Sequence, residues 1–569
     1  MGVIIRQSIK GTIANYIGVA IGFVTTFFVL TRFLTAEEIG LTRVLVDAAT
    51  LLAALAQLGT GSSIVRYYPY FKDAKSGDHG FFLWTLVIPL IGFVIFGLLY
   101  ILLRAPIEHA FIEKSPLFVD YYYAVLPLAF FMLYMTIFES NANVLMRIVV
   151  PKITREVIVR VLTLAAYLLY AFGWLSLTEF VMAFCGVYGI ATLVNVGYLF
   201  SLGRISLHAD PQHITKPLRR DYSLYTLFLI TTAFATAITP VLSTFFISAQ
   251  QGLAFTGVFA IATYIATIID IPYRSLGAIA QPQLSQAVKD NNIAGANNLC
   301  QNVSLHQLLV GAFLFFVIWS NIDLFFALLP NGDHYAIAKN VVLILGISKL
   351  INSTLSIGTS ALNYSRYYYF SLIFAFLQTA LAIFFNNHLI PRWGIDGAAM
   401  ATLLAYLFYY MALLILVRFK LRITPFSWQQ IKVLGIIVVM FALDAVCRFG
   451  LRHLYPAIGD SLWLQGAEAV ILTCVIALWG LWCVCRWNIS TEIKQLIFST
   501  LSRLKKIKKR RRNSEKHRRI WFGMLAKQVV IFSNRTDSQT TPSPRPSLHN
   551  FWCRSANRAS TDNRFCPSC

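Results

Sequence analysis

The chain has 569 residues, of which 57% are hydrophobic and 13% are charged, and its mean hydropathy is +0.64. Soluble domains carry about 25% charged residues, so this composition excludes a water-soluble globular enzyme and predicts a protein that crosses a membrane many times. Of the formal net charge of +23, +15 lies between Arg486 and Cys569, where 19 Lys and Arg face 4 Asp and Glu. The basic surplus therefore belongs mainly to a tail after the last apolar segment.

About fourteen segments are long and apolar enough for a transmembrane helix, which needs about 20 residues. The first is expected to remain as a span, because its apolar core is long and has no small-residue cleavage motif. The uncharged run from Tyr222 to Ile269 is too long for one helix, so a turn is predicted at Gln250-Gln251-Gly252. The segments lie near residues 11–31, 44–65, 80–103, 119–145, 156–175, 178–203, 222–248, 253–278, 302–329, 337–363, 367–389, 396–417, 430–450 and 463–485.

The distribution of basic residues between the loops predicts the orientation. With a cytoplasmic N-terminus, the inside loops carry 17 Lys and Arg and the outside loops carry 6. Because Lys and Arg are enriched in cytoplasmic loops, this alternation predicts that both termini are cytoplasmic.

The two halves of the apolar region resemble each other. Residues 31–36 align with 244–249, and each segment ends a span and precedes a glycine, Gly40 or Gly257, that opens the next span. Farther along, Asn143 corresponds to Asn363, and residues 173–175 correspond to 393–395. Because six spans return the chain to the same side of the membrane, the repeats run in parallel. This predicts an all-α integral membrane protein with two six-helix lobes and a substrate site between them.

The repeat also predicts the domain boundaries. We expect an N-terminal lobe over residues 1–203, a cytoplasmic linker over 204–221, a C-terminal lobe over 222–422 and two further helices over 423–487. A basic, mostly disordered cytoplasmic tail is expected over 488–569. The tail could bind anionic lipid or act only as a solvated determinant of topology, and we expect transport without it.

Charged residues within the apolar spans indicate cavities or charged partners, because an isolated charge is costly in a bilayer. Lys349 is the strongest candidate, since it lies mid-way along the tenth predicted span. Arg43 and Asp47 are four residues apart on one helix face, as are Asp270 and Arg274. Further charges within or at the ends of spans are Arg32, Arg66, Glu139, Arg160 and the four-apart pair Asp444 and Arg448.

The basic groups favour an anionic substrate, because Arg can hold a phosphate through two parallel hydrogen bonds and Lys acts as a point charge. The acidic groups Asp47, Glu139 and Asp270 are candidates for binding a coupling proton or sodium ion. Two alternatives remain open. Arginines near span ends also fit interfacial positions from which long side chains reach the headgroups, and the four-apart pairs also fit structural ion pairs. The cysteine pairs have no second ligand pair nearby, so we expect neither a metal nor a cofactor.

Two segments, residues 32–40 (RFLTAEEIG) and 59–67 (GTGSSIVRY), resemble the polysaccharide-export flippases of the multidrug/oligosaccharidyl-lipid/polysaccharide (MOP) transporter superfamily. The segment Arg32-Phe33-Leu34-Thr35-Ala36-Glu37-Glu38-Ile39-Gly40 is similar to the family's R-x-L-x-x-x-E-[FY]-G opening, with Ile39 in place of the usual aromatic residue. Residues 59–67, GTGSSIVRY, resemble its G-x-x-x-[AS]-x-x-R-[FY] ending of the second span. The likeness covers roughly residues 1–485.

This resemblance implies a MATE-like arrangement of two lobes around a cationic cavity, and a transporter rather than an enzyme. It implies flipping of undecaprenyl-diphosphate-linked oligosaccharide across a bacterial cytoplasmic membrane by alternating access, for surface polysaccharide synthesis. Arg32 and Arg66 lie in the matching motifs, whereas Asp270 and Arg274 match by position alone. The candidate substrate-binding residues are Arg32, Arg43, Arg66, Arg274 and Lys349.

Other classes of protein would need different sequence features. A cation-coupled small-molecule or multidrug exporter of the same fold would need an acidic or aromatic cavity. A membrane glycosyltransferase or polymerase would need a large outside loop with catalytic groups, and the predicted outside loops are short. An ATP-driven pump would need a phosphate-binding G-x-x-x-x-G-K-[ST] loop, which the sequence lacks. Nucleic-acid binding by the tail is not expected.

Overall fold

The computed structural model describes residues 14–73, 78–202, 216–454 and 461–490, and within these ranges it is built from helices without strands. Residues 1–489 form one compact unit, and the basic tail falls in a second unit, 490–569, which after Ser490 lies outside the described residues. The principal helices are α1 (Ala14–Phe33), α2 (Ala36–Ala56), α3 (Thr60–Phe71), α4 (Phe81–Leu102), α5 (Arg104–Phe111), α6 (Pro116–Asp120), α7 (Val125–Val144), α8 (149–171), α9 (Leu177–Ser201), α10 (Lys216–Ile238), α11 (Leu242–Gln250), α12 (Leu253–Thr267), α13 (Ile271–Lys289), α14 (Ile293–Ser320), α15 (Ile322–Leu328), α16 (Gly332–Ala336), α17 (Lys339–Asn363), α18 (Tyr369–Leu416), α19 (Trp428–Leu454) and α20 (Leu462–Arg486).

Twelve segments of the described chain are long and apolar enough to cross a membrane. One of them runs from Tyr369 to Leu421 over 53 residues, and Gly394, with φ 56° and ψ −132°, divides its main helix into two arms. Helix α8 is not among the twelve, because it carries several charged side chains. The all-α membrane fold is therefore confirmed, whereas the count of fourteen spans stays a prediction.

The second span begins earlier than the sequence predicted. Helix α2 starts at Ala36 because Thr35 and Glu38 form a capping box: the Glu38 amide donates to Thr35 Oγ1 at 3.2 Å, and the Thr35 amide donates to Glu38 Oε2 at 2.8 Å. The helix is also interrupted after Ala56, where Leu58 and Gly59 have φ values of 48° and 69°. Glycine suits this turn, since a Cβ there would lie 2.5 Å from Leu229 Cβ.

Other boundaries also differ from the predicted spans. The turn at Gln250-Gln251-Gly252 is where the sequence placed it, with Gly252 at φ 99°. A short turn at Thr239–Val241, which contains Pro240, breaks the predicted span 222–248 into α10 and α11. The predicted span 253–278 ends at Thr267 instead, and the turn Ile268–Asp270 leads into α13. Pro272 lies in the first turn of α13, where its missing N–H breaks no helical hydrogen bond.

The core joins the two halves of the chain. One continuous apolar cluster contains Leu45 of α2, Leu128 of α7 and Phe180 of α9 together with Ile261 of α12 and Leu345 of α17. Helices α2 and α12 cross at the centre of the bundle. The charged side chains of the candidate site lie on α2 and on the surrounding helices, including α8 and α17. The domain boundaries drawn from the sequence stay predictions.

Candidate functional site

A buried ion pair links Lys349 and Asp270 inside the second half. Lys349 Nζ lies 3.0 Å from Asp270 Oδ2, and the side chains are 23% and 10% exposed. Asp270 ends the turn between α12 and α13, and its neighbour Ile269 packs close to Gly311 and Gly346, which lack the side chains that would fill this space. Asp270 Oδ1 is buried and has no hydrogen-bond partner in the structure. Lys349 is thus held in the interior by a carboxylate from another helix.

A second ion pair lies on α2. Arg43 Nε is 2.9 Å from Asp47 Oδ2, so the four-residue spacing brings the two side chains together as the sequence predicted. Arg43 also lies over the ring of Tyr264, from α12, at 5.9 Å. Arg43 lines a cavity of about 260 Å³ that Arg160 and Tyr188 also line. This cavity therefore has walls from both halves of the chain.

The structure brings together four charges of α7 and α8, of which the sequence analysis named Glu139 and Arg160 but not Arg155 and Glu156. Arg155 Nε lies 2.9 Å from Glu139 Oε2, and Arg160 Nη2 lies 3.2 Å from Glu156 Oε2. The predicted fifth span began at residue 156 and left Arg155 in a loop, but the helix starts at residue 149. A π-helical stretch at Thr154–Ile158 adds one residue to the turn and changes which side chains share a face.

Arg155, Glu156 and Arg160 line a cavity of about 400 Å³ between α2, α7, α8 and α9, to which Gln57 and Thr136 also contribute. Arg155 Nη2 donates to Thr136 Oγ1 at 3.0 Å. Arg160 lines both this cavity and the one beside Arg43, and its Nη1 donates to the Gly18 carbonyl at 2.9 Å. The signal in the sequence was the group of Arg155, Glu156 and Arg160 in an otherwise apolar helix.

The remaining predicted residues lie elsewhere. Arg32 is exposed at the end of α1, with its guanidinium 5.4 Å from the ring of Phe33. Arg66 is half-exposed, lies 3.6 Å from Asp221 Oδ2, and stacks over Tyr225 at 4.1 Å. The Arg274 side chain is outside the described part of the structure, so its predicted pairing with Asp270 has no structural account.

The acidic and basic side chains of these sites balance each other's charge. Each acidic residue predicted to bind an ion has a basic partner: Asp47 with Arg43, Glu139 with Arg155, and Asp270 with Lys349. A buried ion pair gains little stability over apolar packing, because desolvation of the charges offsets their attraction. An anion that entered such a site would compete with the carboxylate for the basic side chain.

Solved structures share this fold. The lipid II flippase MurJ in an inward closed conformation matches with a TM-score of 0.67 and 12% identity, over 85% of this chain and 100% of that chain. A multidrug resistance MATE family transporter of the MOP superfamily, inward-facing, matches with a TM-score of 0.56 and 14% identity, over 74% and 98%. A MOP superfamily transporter from Pyrococcus furiosus matches with a TM-score of 0.53 and 13% identity, over 74% and 95%.

These identities are low, so the likeness establishes the fold, which is that of MOP-superfamily flippases and transporters. No protein-family profile matches the sequence. No curated protein matches it either. The twelve candidate membrane spans and the likeness to these structures show that the chain is a multi-pass membrane protein whose fold is also found in flippases and transporters.

Proposed function

We propose that this protein is a flippase that moves undecaprenyl-diphosphate-linked oligosaccharide from the cytoplasmic to the outer leaflet of a bacterial cytoplasmic membrane by alternating access, for surface polysaccharide synthesis. The observation that carries the proposal is the cavity on α8, where Arg155 and Arg160 lie with hydrogen-bonding groups inside a membrane-spanning bundle. The same fold is found in a lipid II flippase. Both termini are proposed to be cytoplasmic.

The cavities combine the two kinds of group that such a headgroup requires. Arg43, Arg155 and Arg160 can each bind phosphate oxygens through parallel N–H groups. The side chains of Gln57 and Thr136 can hydrogen-bond sugar hydroxyls. The low dielectric of the bundle strengthens these contacts relative to the same contacts in water.

The ion pairs suggest how binding drives a change of state. A diphosphate entering the cavity competes with Glu139 and Asp47 for their guanidinium partners. A carboxylate that loses its cation while buried favours its protonated form, because burial penalises the charge. Substrate binding is thereby linked to proton uptake, and release on the far side restores the ion pairs. Lys349, Arg274 and Arg32 are proposed as further contacts of the diphosphate as it passes.

Proteoliposomes test this function directly. The purified full chain is reconstituted with a polyprenyl-diphosphate-linked oligosaccharide, and the fraction accessible to an added glycosidase is followed over time. We expect the wild type and Lys432→Gln, which alters an exposed residue on α19, to expose substrate from the inner leaflet. Arg155→Gln combined with Arg160→Gln, reconstituted at an equal amount of folded protein, is expected to stop this. Equal rates with and without protein would contradict the proposal.

A second candidate is a cation-coupled small-molecule exporter. The observation that favours it is the buried Asp270, whose Oδ1 atom has no hydrogen-bond partner within the described part of the chain and is free to take a proton or a sodium ion. The shared fold with a MATE family transporter agrees with it. Drug susceptibility separates the candidates: an exporter gene raises the inhibitory concentration of cationic drugs, whereas the proposed flippase leaves it unchanged.

A further inference from the structure

A separate cavity of about 520 Å³ lies between α14, α17 and α19, and it shares no lining residue with the two cavities described above. Trp319 and Ser320 end α14, Lys339 begins α17, and Arg448 is near the end of α19. Because the ends of three membrane helices meet here, the cavity lies at the depth of the lipid headgroups. A tryptophan at this position is typical of the membrane interface.

Four charged side chains line this cavity in two pairs. Lys339 Nζ lies 2.6 Å from Asp323 Oδ1, and Arg448 Nε lies 3.0 Å from both carboxylate oxygens of Asp444. The formal charges of these groups cancel. A site of this kind suits a headgroup that carries a phosphate beside a second polar or cationic group.

Two donor atoms in the cavity wall have no hydrogen-bond partner among the residues that the structure describes. Arg448 Nη2 and Ser320 Oγ are buried, and neither makes a hydrogen bond in the structure. Arg448 can use Nε for Asp444 and still present Nη2 to another acceptor, because a guanidinium carries five N–H groups in a fixed plane. Leaving such donors buried without acceptors costs free energy, and a phosphate oxygen would satisfy both.

We propose that this cavity binds the phosphate group of a phospholipid from the surrounding bilayer. The walls below the polar groups are formed by Phe315, Leu343 and Phe441, which fit the apolar beginning of acyl chains. The surface of α19 continues in exposed apolar side chains, including Val446 and Phe449. A lipid bound here bridges α19, which belongs to neither repeat, to α14 and α17 of the second half.

The phosphate of a polyprenyl carrier offers the same chemistry, so the test must separate the two sources. The full chain is purified in detergent, and retained lipid is counted by native mass spectrometry after addition of one defined lipid at a time. The probes are phosphatidylethanolamine, phosphatidylglycerol, diacylglycerol and a polyprenyl monophosphate. The variants are Arg448→Gln, Ser320→Ala and the matched control Lys432→Gln, which removes an exposed charge from the other end of α19.

We expect phosphatidylethanolamine or phosphatidylglycerol to be retained by the wild type and by Lys432→Gln, and diacylglycerol to be lost. Arg448→Gln should weaken retention about tenfold, which corresponds to about 1.4 kcal/mol. Ser320→Ala should weaken retention in the same direction and leave the temperature of thermal unfolding, which is measured alongside, unchanged.

Three results would overturn the assignment. Diacylglycerol retained as well as a phospholipid would remove the need for a phosphate. Unchanged retention in both Arg448→Gln and Ser320→Ala would place the lipid elsewhere. Retention of the polyprenyl monophosphate with loss of both phospholipids would assign the site to the carrier rather than to the bilayer. None of these results depends on whether the protein is a flippase.

Discussion

Gly40 and Gly257 lie against each other where α2 of the first half crosses α12 of the second. A Cβ atom on Gly40 would lie 3.1 Å from the Gly257 nitrogen and would collide with the Leu253 carbonyl oxygen. A Cβ atom on Gly257 would lie 3.1 Å from the Gly40 nitrogen and would collide with the Ala36 carbonyl oxygen. Each glycine thus meets the residue four positions before the other, as a two-fold relation between the repeats requires.

Gly40→Ala should therefore destabilise the protein. The added methyl group meets backbone atoms, which cannot move aside as a flexible side chain could, and overpacking of this kind costs about 1–3 kcal/mol. Thermal unfolding of the purified protein measures the effect. Gly186→Ala on α9 is the matched control, because a Cβ there meets nothing within 4 Å. An equal melting temperature for the two variants would contradict the close crossing.

The sequence predicted that Gly40 and Gly257 open equivalent spans in the two halves, whereas the contact between them is seen only in the structure. The aligned segments 173–175 and 393–395 contain Gly173 and Gly394, one position out of register, and both glycines adopt positive φ, at 74° and 56°. The ion pair of Arg43 with Asp47 was also foreseeable, since residues four apart share a helix face. Hydropathy also located most membrane segments correctly, because it depends only on the local composition of the chain.

Contacts between distant helices were not foreseeable. Lys349 and Asp270 both stood out as charges within apolar segments, but their pairing depends on the depth and rotation of two separate helices. The sequence placed Asp270 beside Arg274, a pairing that stays a prediction because the Arg274 side chain lies outside the described part of the structure. It gave no sign of the contact between Asp270 and Lys349. The pairing of Glu139 with Arg155 was not predicted because the fifth span was expected to begin at residue 156, which left Arg155 in a loop. The π-helical stretch in α8 has no local sequence signature.

The Lys349–Asp270 pair gives a prediction that separates stability from transport. Lys349→Met leaves the Asp270 carboxylate buried without a cation, which should destabilise the fold by about 3–5 kcal/mol. The double variant Lys349→Met with Asp270→Asn removes both charges and should recover most of that loss. We expect the double variant to fold but not to export polysaccharide, as measured by unfolding temperature and by surface polysaccharide at equal protein level. Normal export by the double variant would assign the pair a purely structural function.

Glu139→Gln tests the exchange of carboxylate for phosphate. The amide no longer competes with an anionic substrate for Arg155, so binding of the lipid-linked diphosphate should become tighter while release and turnover become slower. Arg155→Gln should weaken binding instead. Flipping rates at several substrate concentrations in proteoliposomes separate apparent affinity from maximal rate. The control is Arg147→Gln, an exposed arginine just before α8. A fall in maximal rate without tighter binding in Glu139→Gln would contradict the exchange.

Arg66 was predicted to bind substrate, but its contacts suggest a link between the two halves. Tyr67 donates from its hydroxyl to Asp221 Oδ2 at 2.6 Å, and Arg66 lies 3.6 Å from the same atom. If Arg66 acts through this contact, Arg66→Gln and Asp221→Asn should reduce export by similar amounts, and the double variant should be no worse than either. Tyr67→Phe, which keeps the ring, should show part of the same defect. Loss of export in Arg66→Gln with none in Asp221→Asn would instead support direct substrate contact.

Removing the basic tail should leave the transporter intact. Residues 1–489 form a compact unit by their own contacts, and every ion pair proposed to act in transport lies within it. A chain that stops after Ser490 should unfold at the same temperature as the full chain and should restore surface polysaccharide to a deletion strain. If the tail serves only to attract anionic lipid, the truncated protein should bind less to phosphatidylglycerol vesicles without losing flipping activity. Loss of flipping at equal protein level would show that the tail takes part in transport.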